Sequence, residues 1–374
     1  MKEFNNKNLI KPRQICFIFL TLVPVTKIIG YPAFVFSNAE SGFLIPIAMN
    51  FLLDILLLTF ILIAAKRLGE TTFYNATQQT LGTAVAKITF ALYSVYFFLK
   101  AVFPLSEQKF YIENTLYEIM PAGITFYPFF IISFYASLKG LKIFGRCSDL
   151  TIFLVAAGLA LAIGLGISSV DLTEFLPFFE KPFPDLAKTS LSSLVYFGDS
   201  LYMLFFIGHY RKEKHSGRNM ILSYGGAALA TIIFVSVFCC IYGPISGSQP
   251  FALPAATVFS VNATNAARFD YLAVFLLLFA QVNAVIFPLF VSAKCLERVL
   301  GTKKSLWCAL AVNLAAAIAI IFFSEKTFML QNVTEEYLSY FFAFVSFVLT
   351  PIILSIVSFR FAKKQPLQNQ EAII

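Results

Sequence analysis

Long apolar runs recur along the whole chain and are separated by short polar stretches. Each run is about 20 residues long, the length at which an α-helix crosses a hydrocarbon core of about 30 Å. The pattern predicts an all-α polytopic membrane protein with ten transmembrane helices, forming a single transmembrane domain over residues 1–374. The predicted spans are 14–36, 43–65, 86–104, 121–138, 150–169, 189–208, 220–242, 271–293, 305–323 and 338–359.

Composition supports this class. The chain is 59% hydrophobic and 13% charged, whereas an ordinary soluble domain is about 25% charged. No phosphate loop, metal-ligand cluster or nucleophile beside a base is found, so we expect no enzymatic activity, no metal and no cofactor. The formal charge of +8 is explained by contact with anionic lipid headgroups and calls for no nucleic-acid partner.

The distribution of lysine and arginine predicts the orientation, because positive loops stay in the cytoplasm. Most of the 28 basic residues fall on one side of the predicted membrane. The other side receives only Lys109, Lys181, Lys188, Arg268 and Lys326. Both termini are therefore expected in the cytoplasm. The longest connection, residues 243–270, is apolar enough to predict a lid-like segment over the bundle.

Few charges lie inside the predicted spans, where a charged side chain is costly and calls for a partner or a function. Lys27, Asp54 and Asp199 lie about 14 to 20 Å from the ends of their spans at 1.5 Å per residue. We interpret them as an ion-pair or proton site, with Lys27 opposite Asp199, Asp54 or both. The alternative is a buried ion pair that fixes helix register and binds nothing. Lys100 lies near the predicted outer end of span 3 and is expected to snorkel to the interface.

Two of the spans contain helix-breaking sequence at mid-depth. PVTKIIGYP (24–32) and SLVYFGDSLY (193–202) each combine a glycine with a charge. Spans 1 and 6 are five apart, so two five-helix halves, about 14–169 and 189–359, would have opposite topology. Inverted repeats with discontinuous first helices are a transporter architecture, and the free backbone groups at such breaks bind substrates. In span 8, Asn283 can reach the same layer, where it would bind a ligand or join helices.

Three stretches carry a resemblance to a known family: KPRQICFIFL at the start of span 1, GLKIFGRCSDLTIFLV leading into span 5, and DLTEFLPFFE before span 6. The chain resembles spore germination proteins, the membrane-embedded B subunits of GerA-type nutrient germinant receptors, which belong to the amino acid/polyamine/organocation transporter superfamily. The resemblance implies two inverted five-helix repeats and a small nutrient, typically an amino acid, held between helices 1 and 6. On this sequence, the binding layer would comprise Thr26, Lys27, Ile28, Gly30, Phe197, Gly198, Asp199, Ser200 and Tyr202.

The resemblance also implies partners, namely a receptor A subunit and a lipoprotein C subunit in the inner membrane of the spore. Three functions stay open at this point. The chain is a nutrient sensor that signals to those subunits, a proton-coupled amino acid permease in which Asp54 or Asp199 takes up the proton, or a structural channel component. Fold alone does not separate them, because function resides in the site and the partners.

Overall fold

The computed structural model describes residues 9–111, 122–176, 180–258, 269–302, 305–323 and 337–371. These residues form helices and turns, together with one isolated bridge between Ile10 and Tyr210. In chain order, the α-helices are α1 (Pro12–Val25), α2 (Tyr31–Ala39), α3 (Leu44–Leu68), α4 (Phe73–Leu81), α5 (Thr83–Tyr111), α6 (Ala122–Lys139), α7 (Leu141–Gly166), α8 (Phe183–Ser192), α9 (Met203–Phe206), α10 (Ser216–Tyr242), α11 (Ala252–Val258), α12 (Phe269–Leu300), α13 (Ser305–Phe323), α14 (Ser339–Ala343) and α15 (Thr350–Glu371). A π-helical turn, Phe344–Leu349, joins α14 to α15.

The protein is an integral, multi-pass membrane protein. Within the described ranges, seven helical stretches are long and apolar enough to cross a membrane. They are Tyr31–Leu68, Thr83–Lys109, Leu141–Ser169, Ser216–Ser248, Phe275–Leu300, Ser305–Phe322 and Ser339–Phe361. The predicted spans 1, 4 and 6 are not among them as separate long helices.

Spans 1 and 6 fall short because each is discontinuous. In span 1, α1 ends at Val25 and α2 begins at Tyr31. Pro32 lies in the first turn of α2, where its missing N–H costs no hydrogen bond. Predicted span 4 corresponds to α6. Within α6, the apolar helical stretch is the shorter segment Phe129–Lys139.

Span 6 is broken more extensively. After α8, the chain forms two 3₁₀ turns, Ser193–Tyr196 and Asp199–Tyr202, before the single turn of α9. Gly198 lies between the two turns with φ of 83°, a left-handed conformation that glycine adopts without a steric penalty. The backbone direction therefore changes at mid-span.

Long helices surround the two broken segments. α1 packs against α7, α10 and α12, and α5 packs along α12. Large apolar side chains such as Leu52, Leu56 and Phe153 are exposed on the outer faces, as expected for surfaces that contact lipid. The core beneath them is rich in aromatic residues.

The connection after α10 lies over the break in span 1. α11 contacts α2, α7, α10 and α12. The Ala252 N–H donates a 3.0 Å hydrogen bond to the Ile29 carbonyl, one of the backbone groups that the break leaves without a helical partner. The predicted lid extends to residue 270, and its 259–268 portion lies outside the described residues.

Candidate functional site

Lys27 and Asp199 form an ion pair between the two helix breaks. The Lys27 Nζ lies 2.5 Å from Asp199 Oδ2, and the two side chains are 0% and 1% exposed. The same ammonium donates hydrogen bonds to the Val23 carbonyl (3.2 Å) and the Thr26 hydroxyl (3.3 Å). A buried charge needs such partners, since an unpaired one is strongly destabilising.

A second cation contacts the same carboxylate from α5. Lys100 Nζ lies 3.1 Å from Asp199 Oδ1 and donates a hydrogen bond to the Phe197 carbonyl. The prediction that Lys100 snorkels to the interface is wrong, because its side chain is only 4% exposed. α5 continues to Tyr111, about 16 Å further along the helix, so Lys100 lies within the bundle.

Asp54 stabilises the backbone at the second break. Its carboxylate accepts hydrogen bonds from the Gly198 N–H (3.0 and 3.1 Å), the Ser200 hydroxyl (3.2 Å) and the Tyr224 hydroxyl (2.6 Å). The structure thus places Asp54 at the start of the 3₁₀ turn, where free N–H groups favour a negative charge. Its hydrogen-bond partners are these groups rather than Lys27.

The Gly198 backbone is enclosed on its other side by Tyr96 and Ser346. The Tyr96 hydroxyl donates a 3.5 Å hydrogen bond to the Gly198 carbonyl and accepts one of 3.0 Å from Ser346. A Cβ atom at position 198 would overlap the Tyr96 hydroxyl and lie 2.8 Å from Ser346 Oγ. Both the conformation and the space at this position therefore require glycine.

Glu107 joins the two breaks at a second point. Its carboxylate accepts a 3.0 Å hydrogen bond from the Tyr196 hydroxyl and a backbone hydrogen bond from Gly30. A Cβ on Gly30 would lie 2.6 Å from Glu107 Oε1. Gly30 thus allows a buried carboxylate to approach the start of α2.

Sequence reasoning missed Glu107, although a signal was present. Tyr96, Lys100, Phe103 and Glu107 recur at spacings of four, three and four, which places them on one face of a helix. Both charged residues of this face contact the break in span 6. Lys100 contacts a carbonyl group and a carboxylate there, and Glu107 contacts a tyrosine hydroxyl. A charged stripe on an otherwise apolar membrane helix indicates a face turned toward protein rather than lipid.

Aromatic rings surround the Lys27 ammonium. It lies 5.0 Å from the centre of the Phe197 ring and 5.8 Å from that of Phe51, within the range of cation–π attraction. The predicted residues Ile28, Phe197 and Ser200 are all fully buried, whereas Thr26 is half-buried. Its hydroxyl also donates a 3.2 Å hydrogen bond to the Leu22 carbonyl.

Tyr202 lies in the same 3₁₀ turn as Asp199, whereas Asn283 lies apart from the ion pair. The buried Tyr202 ring packs 5.1 Å from the Phe97 ring and 5.0 Å from the Phe287 ring, measured between centroids. Asn283 lines a separate cavity of about 10 Å³ with Thr21 and other residues of α1 and α7, a space that holds about one water molecule. The structure therefore brings together the predicted residues of spans 1, 2 and 6, and places Asn283 in a different cavity.

The arrangement of the helices, with two broken membrane segments side by side, is that of multi-pass membrane proteins with a transporter fold. The chain is similar to the structure of a mutant of the Eremococcus coleocola manganese transporter, with a TM-score of 0.63 and 13% identity over 96% of this chain and 87% of that one. It is also similar to a Na⁺-coupled sialic acid symporter in its substrate-bound outward-open state, with a TM-score of 0.59 and 11% identity over 96% and 89% of the two chains. No curated protein sequence matches the chain.

The chain belongs to the spore germination protein family, whose model matches residues 9–329. The matched range includes both breaks, the lysines of the ion-pair layer and Glu107. At the identities given above, the solved structures establish the fold alone.

Proposed function

We propose that this protein is the nutrient-sensing membrane subunit of a spore germinant receptor. Its architecture would be ten transmembrane helices in two inverted five-helix repeats, about 14–169 and 189–359, with both termini in the cytoplasm. The observation that carries the proposal is the Lys27–Asp199–Lys100 cluster between the two breaks in a chain of the spore germination family. The alternative is a purely structural ion pair that fixes helix register and binds nothing, and the substitution described below separates the two.

An amino acid is the ligand class that fits these groups. Two ammonium groups share one carboxylate, so an incoming ligand carboxylate can replace Asp199 as a partner of Lys27 or Lys100. The ligand amine would bind Asp199 and the carbonyl groups that the breaks leave free. Thr26, Gly30, Gly198 and Ser200 would supply the surrounding backbone and hydroxyl groups, and Ile28, Phe197 and Tyr202 the apolar walls. Asn283 lines a separate cavity and is not part of the proposed site.

Exchange of ion-pair partners gives a route from binding to signalling. In the structure, Lys27 links the break after α1 to the second break, and Lys100 links α5 to it. A ligand that separates these contacts shifts the population between two arrangements of the repeats by its difference in affinity for them. The shift would be passed to the A and C subunits in the inner membrane of the spore.

The first test is Asp199→Asn. We expect loss of the germination response to the nutrient, because the amide cannot balance two buried ammonium groups, while the amount of protein in the membrane is maintained. Asp185→Asn is the matched control, since this carboxylate lies on the same segment but is exposed. An Asp199→Asn spore that responds with unchanged nutrient sensitivity would contradict the proposed site.

A permease is the second candidate, because the chain shares its fold with two transporters and fold alone does not separate sensing from transport. In that function, Asp54 or Asp199 would take up the coupling proton. Deletion of the gene separates the two candidates. Germination of the deletion strain is scored across a panel of nutrients, and uptake of the same amino acids is measured in growing cells. Loss of one germination response with unchanged uptake supports the receptor, and loss of uptake with normal germination supports the permease.

A further inference from the structure

A second polar region of the molecule lies at the other end of the broken span 6. A cavity of about 360 Å³ opens between the start of α4, α5, the α6–α7 turn, the segment around α9, and α12. Its volume is in the range of small-molecule sites. Leu204 and Phe205, a few residues beyond the ion-pair layer, form part of its wall, so the cavity is a separate site on the same segment.

The cavity lining carries an excess of positive charge. Lys139, Lys142, Lys294 and Arg298 line it, together with the single carboxylate of Glu297. Burial and the neighbouring Arg298 lower the pKa of His209, another lining residue, from its ordinary value. With His209 therefore neutral near pH 7, the described lining has an excess of about three positive charges.

Part of this charge is already positioned. Lys294 Nζ lies 2.8 Å from Glu297 Oε2 and donates a 2.9 Å hydrogen bond to the Ser305 hydroxyl. The Arg298 guanidinium lies 5.2 Å from the centre of the Tyr74 ring, and the Tyr74 hydroxyl donates a 3.3 Å hydrogen bond to the Arg298 carbonyl. The α4–α12 contact therefore holds Arg298 at the cavity.

The rule that cytoplasmic loops are basic accounts for the presence of lysine and arginine at this end of the bundle, but not for their arrangement. These cations come from the α6–α7 turn and from α12, which are distant in sequence, and they converge on one concave space. Lysines that serve topology alone need not converge on one space, and Lys66, at the end of α3, does not line this cavity.

We propose that this cavity binds a phosphate-bearing anion, held chiefly by Lys142 and Arg298, with Lys139 contributing charge at the rim. A group with two or more negative charges fits the excess of about three positive charges better than a single carboxylate does. Guanidinium and ammonium groups are the usual protein partners of phosphate oxygens. A bound anion would link the α6–α7 turn to α12 and favour the conformation in which the cavity has its present shape.

The test uses the purified full-length protein in phosphatidylcholine nanodiscs, titrated with inorganic pyrophosphate at constant ionic strength. We expect saturable binding, and a Kd at least tenfold higher for the double variant Lys142→Gln/Arg298→Gln. Lys139→Gln, at an exposed position, should raise the Kd by a smaller factor without disturbing packing. Lys66→Gln is the matched control and should leave the Kd unchanged.

A second arm identifies the source of the phosphate. Cardiolipin in the nanodiscs should raise the Tm of the wild type, but not of the double variant, if the ligand is a lipid headgroup. Pyrophosphate binding without any cardiolipin effect would identify a soluble anion. Three outcomes would overturn the proposal. The wild type and the double variant could bind equally, Lys66→Gln could weaken binding as much as the double variant does, or neither arm could show binding.

This inference stands apart from the proposed nutrient site. Asp199→Asn should leave the Kd for pyrophosphate unchanged, since Asp199 does not line the cavity. Failure of one proposal therefore leaves the other to be judged by its own experiment.

Discussion

At the scale of single residues, the site depends on a balance of buried charge. Lys27 and Lys100 face Asp199, while Asp54 is held by hydrogen-bond donors at the second break. Loss of one partner from such a buried pair typically costs about 3–5 kcal/mol, because the other charge is left uncompensated. The Tm of Asp199→Asn should therefore be measured beside its nutrient response, so that a lost response at a maintained protein level is assigned to the site.

Gly198→Ala is a prediction at this scale. We expect the free energy of unfolding to fall by about 1–3 kcal/mol, because alanine is strained at this backbone conformation and its Cβ would overlap the Tyr96 hydroxyl. Thermal unfolding of the purified protein measures the change. Gly225→Ala in α10 is the control, since a Cβ at that position meets no atom within 4 Å, and it should leave the Tm unchanged or slightly raised. A Gly198→Ala protein as stable as this control would contradict the account of the break.

At the scale of secondary structure elements, α5 connects the two broken segments. Lys100 contacts the break in span 6, and Glu107, two turns further along, contacts Gly30 and Tyr196. A helix that contacts both breaks, through side chains two turns apart, can keep the position of one break relative to the other constant. α5 is therefore the element most directly coupled to any change at the site.

Gly30→Ala tests this coupling. The added methyl group would press on the Glu107 carboxyl, which is held in place by Tyr196, and overpacking of this kind costs about 1–3 kcal/mol. The loss in Tm should be smaller when Gly30→Ala is made in a Glu107→Ala background, where the space is free. Gly164→Ala is the control, because a Cβ at Gly164 meets no atom within 4 Å. Equal losses in both backgrounds would show that the two residues are not coupled.

At the scale of the whole molecule, the distribution of charge bears on the orientation of the protein in the membrane. The basic residues predict that the end of α3 faces the cytoplasm and that the start of α8 faces outward. The same orientation places the proposed anion cavity on the cytoplasmic side. Orientation thus decides which compartment supplies each ligand.

Thiol labelling in cells tests the orientation. In a Cys147→Ser background, the five remaining cysteines are buried, so an introduced cysteine is the reactive one. A membrane-impermeant reagent should label Asp185→Cys in intact cells and Lys66→Cys only after permeabilisation, since both positions are exposed in the fold. Labelling of Lys66→Cys in intact cells would reverse the predicted topology.

Much of the helical layout was predictable because it is a property of local composition. The predicted spans 2, 7 and 9 coincide with α3, α10 and α13 to within a few residues. Apolar length in a bilayer requires helix, since the backbone finds no water to bond. The length of α5 was underestimated at its C-terminal end, because its last turns carry the polar residues 106–109, which are buried in the protein. Hydropathy does not distinguish a polar residue buried in protein from one exposed to water.

The sequence by itself determined the membrane class, the helix breaks within 24–32 and 193–202, and the presence of Lys27, Asp54 and Asp199 inside apolar runs, because each follows from apolar length and from glycine and charge within it. Only the tertiary structure decided which charges pair. Lys100 and Glu107 reach the breaks from α5, and Asp54 bonds to Gly198 rather than to Lys27. Pairing depends on the packing and rotation of neighbouring helices, which hydropathy along one chain does not encode.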